Sequence, residues 1–189
     1  MVSTTQDFMV LTVADFERLP DDGSFEVVDG RAILWPGSEI PHQKVCQALF
    51  EAFRHRLKTL GRGFVFMTVN VFIPRPPGAF GEVQNRIPDL VVSSHEPARR
   101  FLPGRPPELV IEVLSTRRGN VERTEKLDDY ALAGILEYWI FNPIDRLVEV
   151  YQLEAGSYLR RPRAPADPLR PLAFPGIEID PQEIWSVLG

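Results

Sequence analysis

Apolar residues recur along this chain at two different spacings, which separate its helices from its strands. Between residues 41 and 60, Val45, Leu49, Phe53, Leu57 and Leu60 follow one another at steps of four and three, one buried stripe of an α-helix. Pro41 suits its first turn and Gly61 the position just past its end. A second helix is predicted over 120–133, capped by Asn120, stopped by Gly134, with Leu127, Tyr130 and Ala131 turned inward. A short one over 12–19 begins with Thr12 and Asp15 at capping-box spacing, and Pro20-Asp21-Asp22-Gly23 turns the chain out of it. Asp180-Pro181 opens a last helix reaching Trp185.

The extended segments carry other signals. Residues 25–28 and 31–35 flank Asp29-Gly30, a pair that accepts the positive φ angles of a tight hairpin. Residues 64–73 read as a strand leading to the Pro-rich loop 74–78. Residues 87–92 and 109–114 are nearly unbroken apolar runs, the pattern of strands covered on both faces. Since 137–141 follows the helix at 120–133, the stretch 109–141 is a strand–helix–strand crossover, and its two strands are expected to be parallel neighbours. After a turn at 142–146 comes a strand at 148–153, and the Arg- and Pro-rich stretch 160–175 reads as irregular surface. No repeat and no clear boundary divide the chain. One α/β (α+β) domain over 1–189 is expected.

Bulk properties narrow the classes. With 189 residues, 44% hydrophobic and 25% charged, the chain can bury a core without a metal or disulfide staple. Its single cysteine, Cys46, excludes an internal disulfide and a multi-cysteine zinc site, and reads as a small apolar residue packed in a helix. No apolar run is long enough for a membrane span and no leader pattern is present, so a cytoplasmic protein is expected. A net charge of -5 argues against a passive nucleic-acid coat, but an enzyme holding a divalent cation spends carboxylates at its centre.

Two residues do not fit a plain structural reading. Glu112 interrupts an apolar run that should be covered, and Asp89 opens another directly after Pro88. An ionised carboxylate buried without a partner is costly, so the chain must bring a cation, a proton or a ligand there. If the two runs pair antiparallel with Val92 opposite Leu109, Asp89 falls opposite Glu112 and both point to one side. Opposed carboxylates repel, which is hard to justify except at a divalent-cation site. Lys126, one turn before Tyr130 at the border of its helix's inward stripe, can lay its stem along the apolar flank and bring an ammonium to the same place. Two acids and a lysine are what metal-assisted phosphodiester hydrolysis requires.

The segments Glu26-Val27-Val28-Asp29-Gly30, Pro88-Asp89-Leu90-Val91-Val92, Glu108 through Ser115 and Glu125-Lys126-Leu127, followed by Tyr130, Gly134 and Glu137-Tyr138-Trp139, resemble the Uma-type family of putative restriction endonucleases, within the PD-(D/E)XK nuclease superfamily. The resemblance runs from about Thr12 to Trp185. It implies a restriction-endonuclease-like mixed β-sheet core, at about residues 41–153, flanked by helices, with an N-terminal helix and β-hairpin. It implies an endonuclease acting on DNA with Mg2+ (or Mn2+), Asp89 and Glu112 as metal-binding acids, and a homodimer by analogy. The superfamily's lysine two residues after the second acid is absent, since Leu114 stands there; the family's use of a helix-borne lysine points to Lys126.

Further candidates surround this trio. Glu26 can reach the same cleft as an additional catalytic acid. His42 can assist metal or phosphate binding, and Arg117 and Arg118 can grip phosphates. Arg99, Arg100, Arg105 and Arg123 are further rim arginines, and Glu108 reads as a rim acid. Two other readings stand beside the enzyme. One is a catalytically inactive module binding nucleic acid or protein; the other is a structural oligomer subunit, suggested by the apolar hairpin and Trp35.

Overall fold

The computed structural model describes residues 8–19, 25–34, 38–115 and 120–189. Its elements in chain order are β1 (Phe8–Met9), α1 (Val13–Phe16), β2 (Phe25–Val28), β3 (Arg31–Leu34), α2 (Ile40–Leu60), β4 (Phe64–Met67), β5 (Val71–Phe72), β6 (Asn85–Arg86), β7 (Leu90–Ser93), β8 (Leu109–Val113), α3 (Asn120–Ala133), β9 (Glu137–Asn142), β10 (Leu147–Glu154), β11 (Ser157–Arg161) and α4 (Pro181–Trp185). A 3-10 turn at Ser186–Leu188 follows.

The main sheet has the order β11-β10-β9-β8-β7-β4. It is mixed: β8 and β9 run parallel, as the crossover predicts, and the other neighbours are antiparallel. Alternation along the strands divides its side chains between two helices. Leu90, Val92, Leu109, Ile111, Trp139 and Phe141 pack with Val45, Leu49, Phe53 and Leu57 of α2. Val91, Val110, Tyr138 and Ile140 pack with Tyr130 and Ala133 of α3. A smaller sheet, ordered β1-β3-β2-β6-β5, carries the N-terminal hairpin. This is the mixed, helix-flanked core with an N-terminal helix and hairpin that the sequence predicts.

Local chemistry sets the boundaries. The Asp29-Gly30 turn has φ of 47° and 73°, so both residues take the left-handed conformation the hairpin needs. Gly61 ends α2 with φ 71°. The Thr12–Asp15 capping box forms, but α1 is shorter than the predicted 12–19. Two expected strands are broken. The run 64–73 stops at Met67 because Thr68 turns to φ 50° and gives its N–H to Asp89 O (3.2 Å), and Val71–Phe72 joins the small sheet instead. The run 87–92 enters the main sheet only at Leu90, since Pro88 has no N–H for a ladder and 87–89 lie outside any strand; Asn85–Arg86, just before the run, belongs to the small sheet. Arg160 and Arg161, expected in an irregular segment, complete β11 at the sheet edge. Trp35 lies outside the described residues.

Candidate active site

β7 and β8 pair with Leu90 opposite Ile111, Val91 opposite Val110 and Val92 opposite Leu109, the register expected from the apolar runs. One step further, at the end of the ladder, stand Asp89 and Glu112. Asp89 lies in the bend before β7, so its carboxylate is not confined to one face of the sheet. Its Oδ2 accepts the Val113 N–H (2.8 Å) and lies 3.1 Å from Nε2 of His42, in the first turn of α2. Glu112 keeps its place in the strand and alternates with Ile111 and Val113, so it faces α3. Its Oε1 accepts from Lys126 Nζ (2.7 Å) and from the Tyr130 hydroxyl (2.8 Å). The expectation that both acids point to one side is therefore corrected: they share the strand end but take partners from opposite helices. Among the described residues, Asp89 Oδ1 and Glu112 Oε2 make no hydrogen bond.

Glu26 arrives from β2 of the small sheet. Its Oε1 accepts the Ile87 N–H (3.0 Å) and lies 3.6 Å from Lys126 Nζ, while Oε2 is 3.2 Å from Arg86. Lys126 thus sits between two carboxylates from two different sheets. It is only 3% exposed, against the expected place at the border of the helix's inward stripe. Glu26 (2%), Asp89 (4%), Glu112 (4%) and His42 (6%) are equally buried.

Electrostatics follow from this burial. Loss of solvent raises the Glu112 carboxyl, the Lys126 ammonium opposes that rise, and the Asp89 and Glu26 charges add to it, leaving it at about 7. For Lys126, burial disfavours the charge, but Glu112, Glu26 and Asp89 together outweigh it and raise its pKa, so it stays an ammonium. Burial, and then the Asp89 and Glu112 charges, push the Cys46 thiol far up, so it is protonated at neutral pH. The Tyr130 hydroxyl is raised by burial in the same way. Among the described residues, three carboxylates thus crowd the Lys126 ammonium, while Arg86 is shared between Glu26 and Asp129 (2.6 Å). Such an excess of acid calls for a proton or a cation, and two carboxylate oxygens remain available to hold one.

Not all of the arrangement was visible in the sequence. Arg86, 2% exposed, was missed, since nothing in Asn85-Arg86-Ile87 signals a buried guanidinium. Tyr130 belongs to the inward stripe of α3, and helical spacing alone gives no sign that its hydroxyl reaches Glu112. Cys46 packs in the core as expected, but its Sγ also lies 3.6 Å from Nδ1 of His42. Arg100 is tied to Glu17 and lies over the Phe16 and Phe72 rings (5.6 and 4.8 Å), away from the acids. Glu108 accepts from the Ser94 N–H (2.9 Å) and fixes that turn. Arg117 and Arg118 lie outside the described residues.

The family Uma2, described as putative restriction endonuclease, matches residues 13–182. The chain belongs to this family. No curated protein matches the Uma2 chain. Among solved structures, it is similar to a putative nuclease belonging to DUF820 from Anabaena variabilis ATCC 29413, at 18% identity and a TM-score of 0.74. That match covers 93% of this chain and 98% of the other. At such identity the likeness concerns the fold, and it agrees with the restriction-endonuclease-like core. Among the described residues, no helix of this Uma2 protein is long and apolar enough to cross a membrane.

Proposed function

We propose that this protein is a metal-dependent endonuclease that hydrolyses DNA phosphodiester bonds at the Asp89–Glu112–Lys126 cluster. The observation that carries the reading is the meeting of two acids at the end of one antiparallel ladder with a buried lysine from the next helix. Family membership supports a nuclease, and the acid excess fits a hard divalent cation. Asp89 and Glu112 would hold Mg2+ (or Mn2+), which supplies Lewis-acid polarisation of a phosphate and acidifies a bound water.

The chain's own residues do the rest. Lys126 places a fixed positive charge where the phosphate gains negative charge, in a site shielded from water. Glu26 serves as the further acid of the catalytic set, holding Lys126 together with Glu112. Tyr130 fixes the Glu112 carboxylate, leaving its other oxygen for the ion. His42, with one ring edge on Asp89, is assigned to metal or phosphate binding in this reading, and it also lines a cavity of about 310 Å³ with Glu39, Pro41, Leu114 and Ser115. Arg117 and Arg118 are assigned to phosphate contacts by their place after β8. The same reading puts the protein in the cytoplasm, as a homodimer where two strands are cut.

The test is cleavage of plasmid and oligonucleotide DNA with Mg2+ or Mn2+, alongside calorimetric titration of the ion. Wild type should cut; Asp89→Ala should lose ion binding; Lys126→Ala should lose about 100-fold or more in rate while still binding the ion. One observation favours a second reading, an inactive DNA-binding module: Leu114 occupies the superfamily's lysine position. DNA binding without cleavage by wild type, with metal present, would establish that reading instead.

A further inference from the structure

His42, Cys46 and Asp89 bring a ring nitrogen, a sulfur and a carboxylate oxygen within 4.8 Å of one another, all buried. His42 and Cys46 are one turn apart on α2 and so share the face turned to Asp89. Cys46 Sγ lies 3.6 Å from Nδ1 and 4.0 Å from Nε2 of His42, and Nε2 lies 3.1 Å from Asp89 Oδ2. In a tetrahedron with Zn–N of about 2.0 Å and Zn–S of about 2.3 Å, ligand atoms stand roughly 3.2–3.7 Å apart. Taken through Nε2, the nitrogen that faces Asp89, the separations are 4.0 Å to Cys46 Sγ and 3.1 Å to Asp89 Oδ2. All three ligand atoms lie within 4.8 Å, so a modest closing of the three side chains reaches the tetrahedral spacing. Of the three, His42 also lines a cavity with Glu39, Pro41, Leu114 and Ser115, the side from which an ion and a water as fourth ligand would approach. Cys46 has no part in the proposed hydrolysis, and a thiolate is a poor ligand for Mg2+ but a good one for Zn2+.

We propose that His42, Cys46 and Asp89 form a second metal site, selective for a thiophilic divalent cation such as Zn2+. Binding breaks the Cys46 S–H bond, forms an S–Zn bond and releases one proton to solvent for each ion held. Zn2+ on Asp89 Oδ2 would stand beside the Oδ1 assigned to Mg2+, and two divalent cations on one carboxylate repel, so Zn2+ excludes Mg2+ from the Asp89–Glu112 pair. The site itself rests on geometry; the exclusion rests on the nuclease reading above.

Co2+, a spectroscopic substitute for Zn2+, is titrated into the full chain as wild type, Cys46→Ser and Cys46→Ala, each checked by circular dichroism for folding. A thiolate-to-cobalt charge-transfer band is expected in wild type alone, removed by added Zn2+. Losing even an outer partner of a metal ligand costs 10–100-fold in affinity, so losing the sulfur should weaken Zn2+ binding by about 100-fold. Mg2+ binding by the two variants should match wild type. No band in wild type, or equal Zn2+ affinity in folded Cys46→Ala, overturns the site. Undiminished Mg2+ binding to Zn2+-loaded wild type overturns the exclusion. A protein that shows the band but neither binds Mg2+ nor cuts DNA loses the nuclease reading and keeps the zinc site.

Discussion

Replacing Arg86 with methionine removes a charge from the interior while keeping most of the side chain's apolar volume. The guanidinium is 2% exposed and lies 3.2 Å from Glu26 and 2.6 Å from Asp129. Breaking a buried pair by removing one member costs about 3–5 kcal/mol, because the other charge is left uncompensated. Here the orphaned acids keep some support: Glu26 retains the Ile87 N–H and Lys126, and Asp129 retains the Gln84 amide. The lower end applies, about 3 kcal/mol. At this chain length that corresponds to a fall in Tm of roughly 6–12 °C. Urea unfolding followed by the fluorescence of the buried Trp139 and Trp185 measures it directly. Adding Asp129→Asn should restore part of the loss, since it removes one unpaired charge, and a double-mutant cycle gives the coupling. A loss under about 1 kcal/mol for Arg86→Met would refute the view that this cation holds two buried acids together.

Three further outcomes follow from the same structure. Native Glu112 titrates at about 7 against 4.5 when unfolded, so the folded state keeps a proton that the unfolded chain gives up between those values. Its contribution to stability is complete below pH 4.5 and lost as pH rises through 7; urea midpoints should decline over that interval in wild type but less in Glu112→Gln, and parallel profiles would contradict this. The Cys46 thiol, buried and held protonated, should resist iodoacetamide in the metal-free folded protein and react once unfolded in urea; mass spectrometry showing rapid native modification would contradict the assignment. Gly63→Ala should cost about 1–3 kcal/mol by thermal melting, since a residue at positive φ is strained. Its φ is 90°, and a Cβ there would lie 2.7 Å from both Leu57 and Phe174 side chains. Gly61→Ala, at φ 71° with nothing within 4 Å, should lose less; equal losses would show that crowding has no part.

Residues whose fate depends on nearest neighbours are legible in the sequence itself. The stripe Val45–Leu49–Phe53–Leu57 needs only helical periodicity, and Asp29-Gly30 needs only turn geometry. The Val92–Leu109 register was recoverable because two apolar runs had to bury every residue, and opposing Asp89 to Glu112 was the arrangement that gave those acids a purpose. Arg86 was not recoverable: a guanidinium beside a loop is normally solvated, and its burial depends on Glu26 and Asp129, 60 and 43 residues away. The breaks at Thr68 and Pro88 were missed for a related reason. Each marks the chain crossing from one sheet to the other, and continuous hydrophobicity hides such a crossing because both sides of it are core.

In the nuclease reading, the small sheet belongs to the site because the lysine position two residues past Glu112 is taken by Leu114 and Lys126 is proposed in its stead. A lysine two residues past Glu112 would be carried by the strand itself; with Leu114 there, the amine comes instead from α3 on a flexible four-carbon stem. Ordering that stem costs up to about 2 kcal/mol of side-chain entropy, and a single carboxylate leaves it free to swing. Glu26 provides a further point of attachment, 3.6 Å from Nζ, beside Glu112 at 2.7 Å. Glu26 is itself fixed by Arg86 and the Ile87 N–H, and β2 is fixed by Asn85, which accepts the Val27 N–H (2.8 Å) and donates to Phe25 O (3.1 Å). The hairpin is thus joined to Lys126 by an unbroken series of buried hydrogen bonds and ion pairs. In the nuclease reading, its task is to hold a helix-borne ammonium as firmly as a strand would have done.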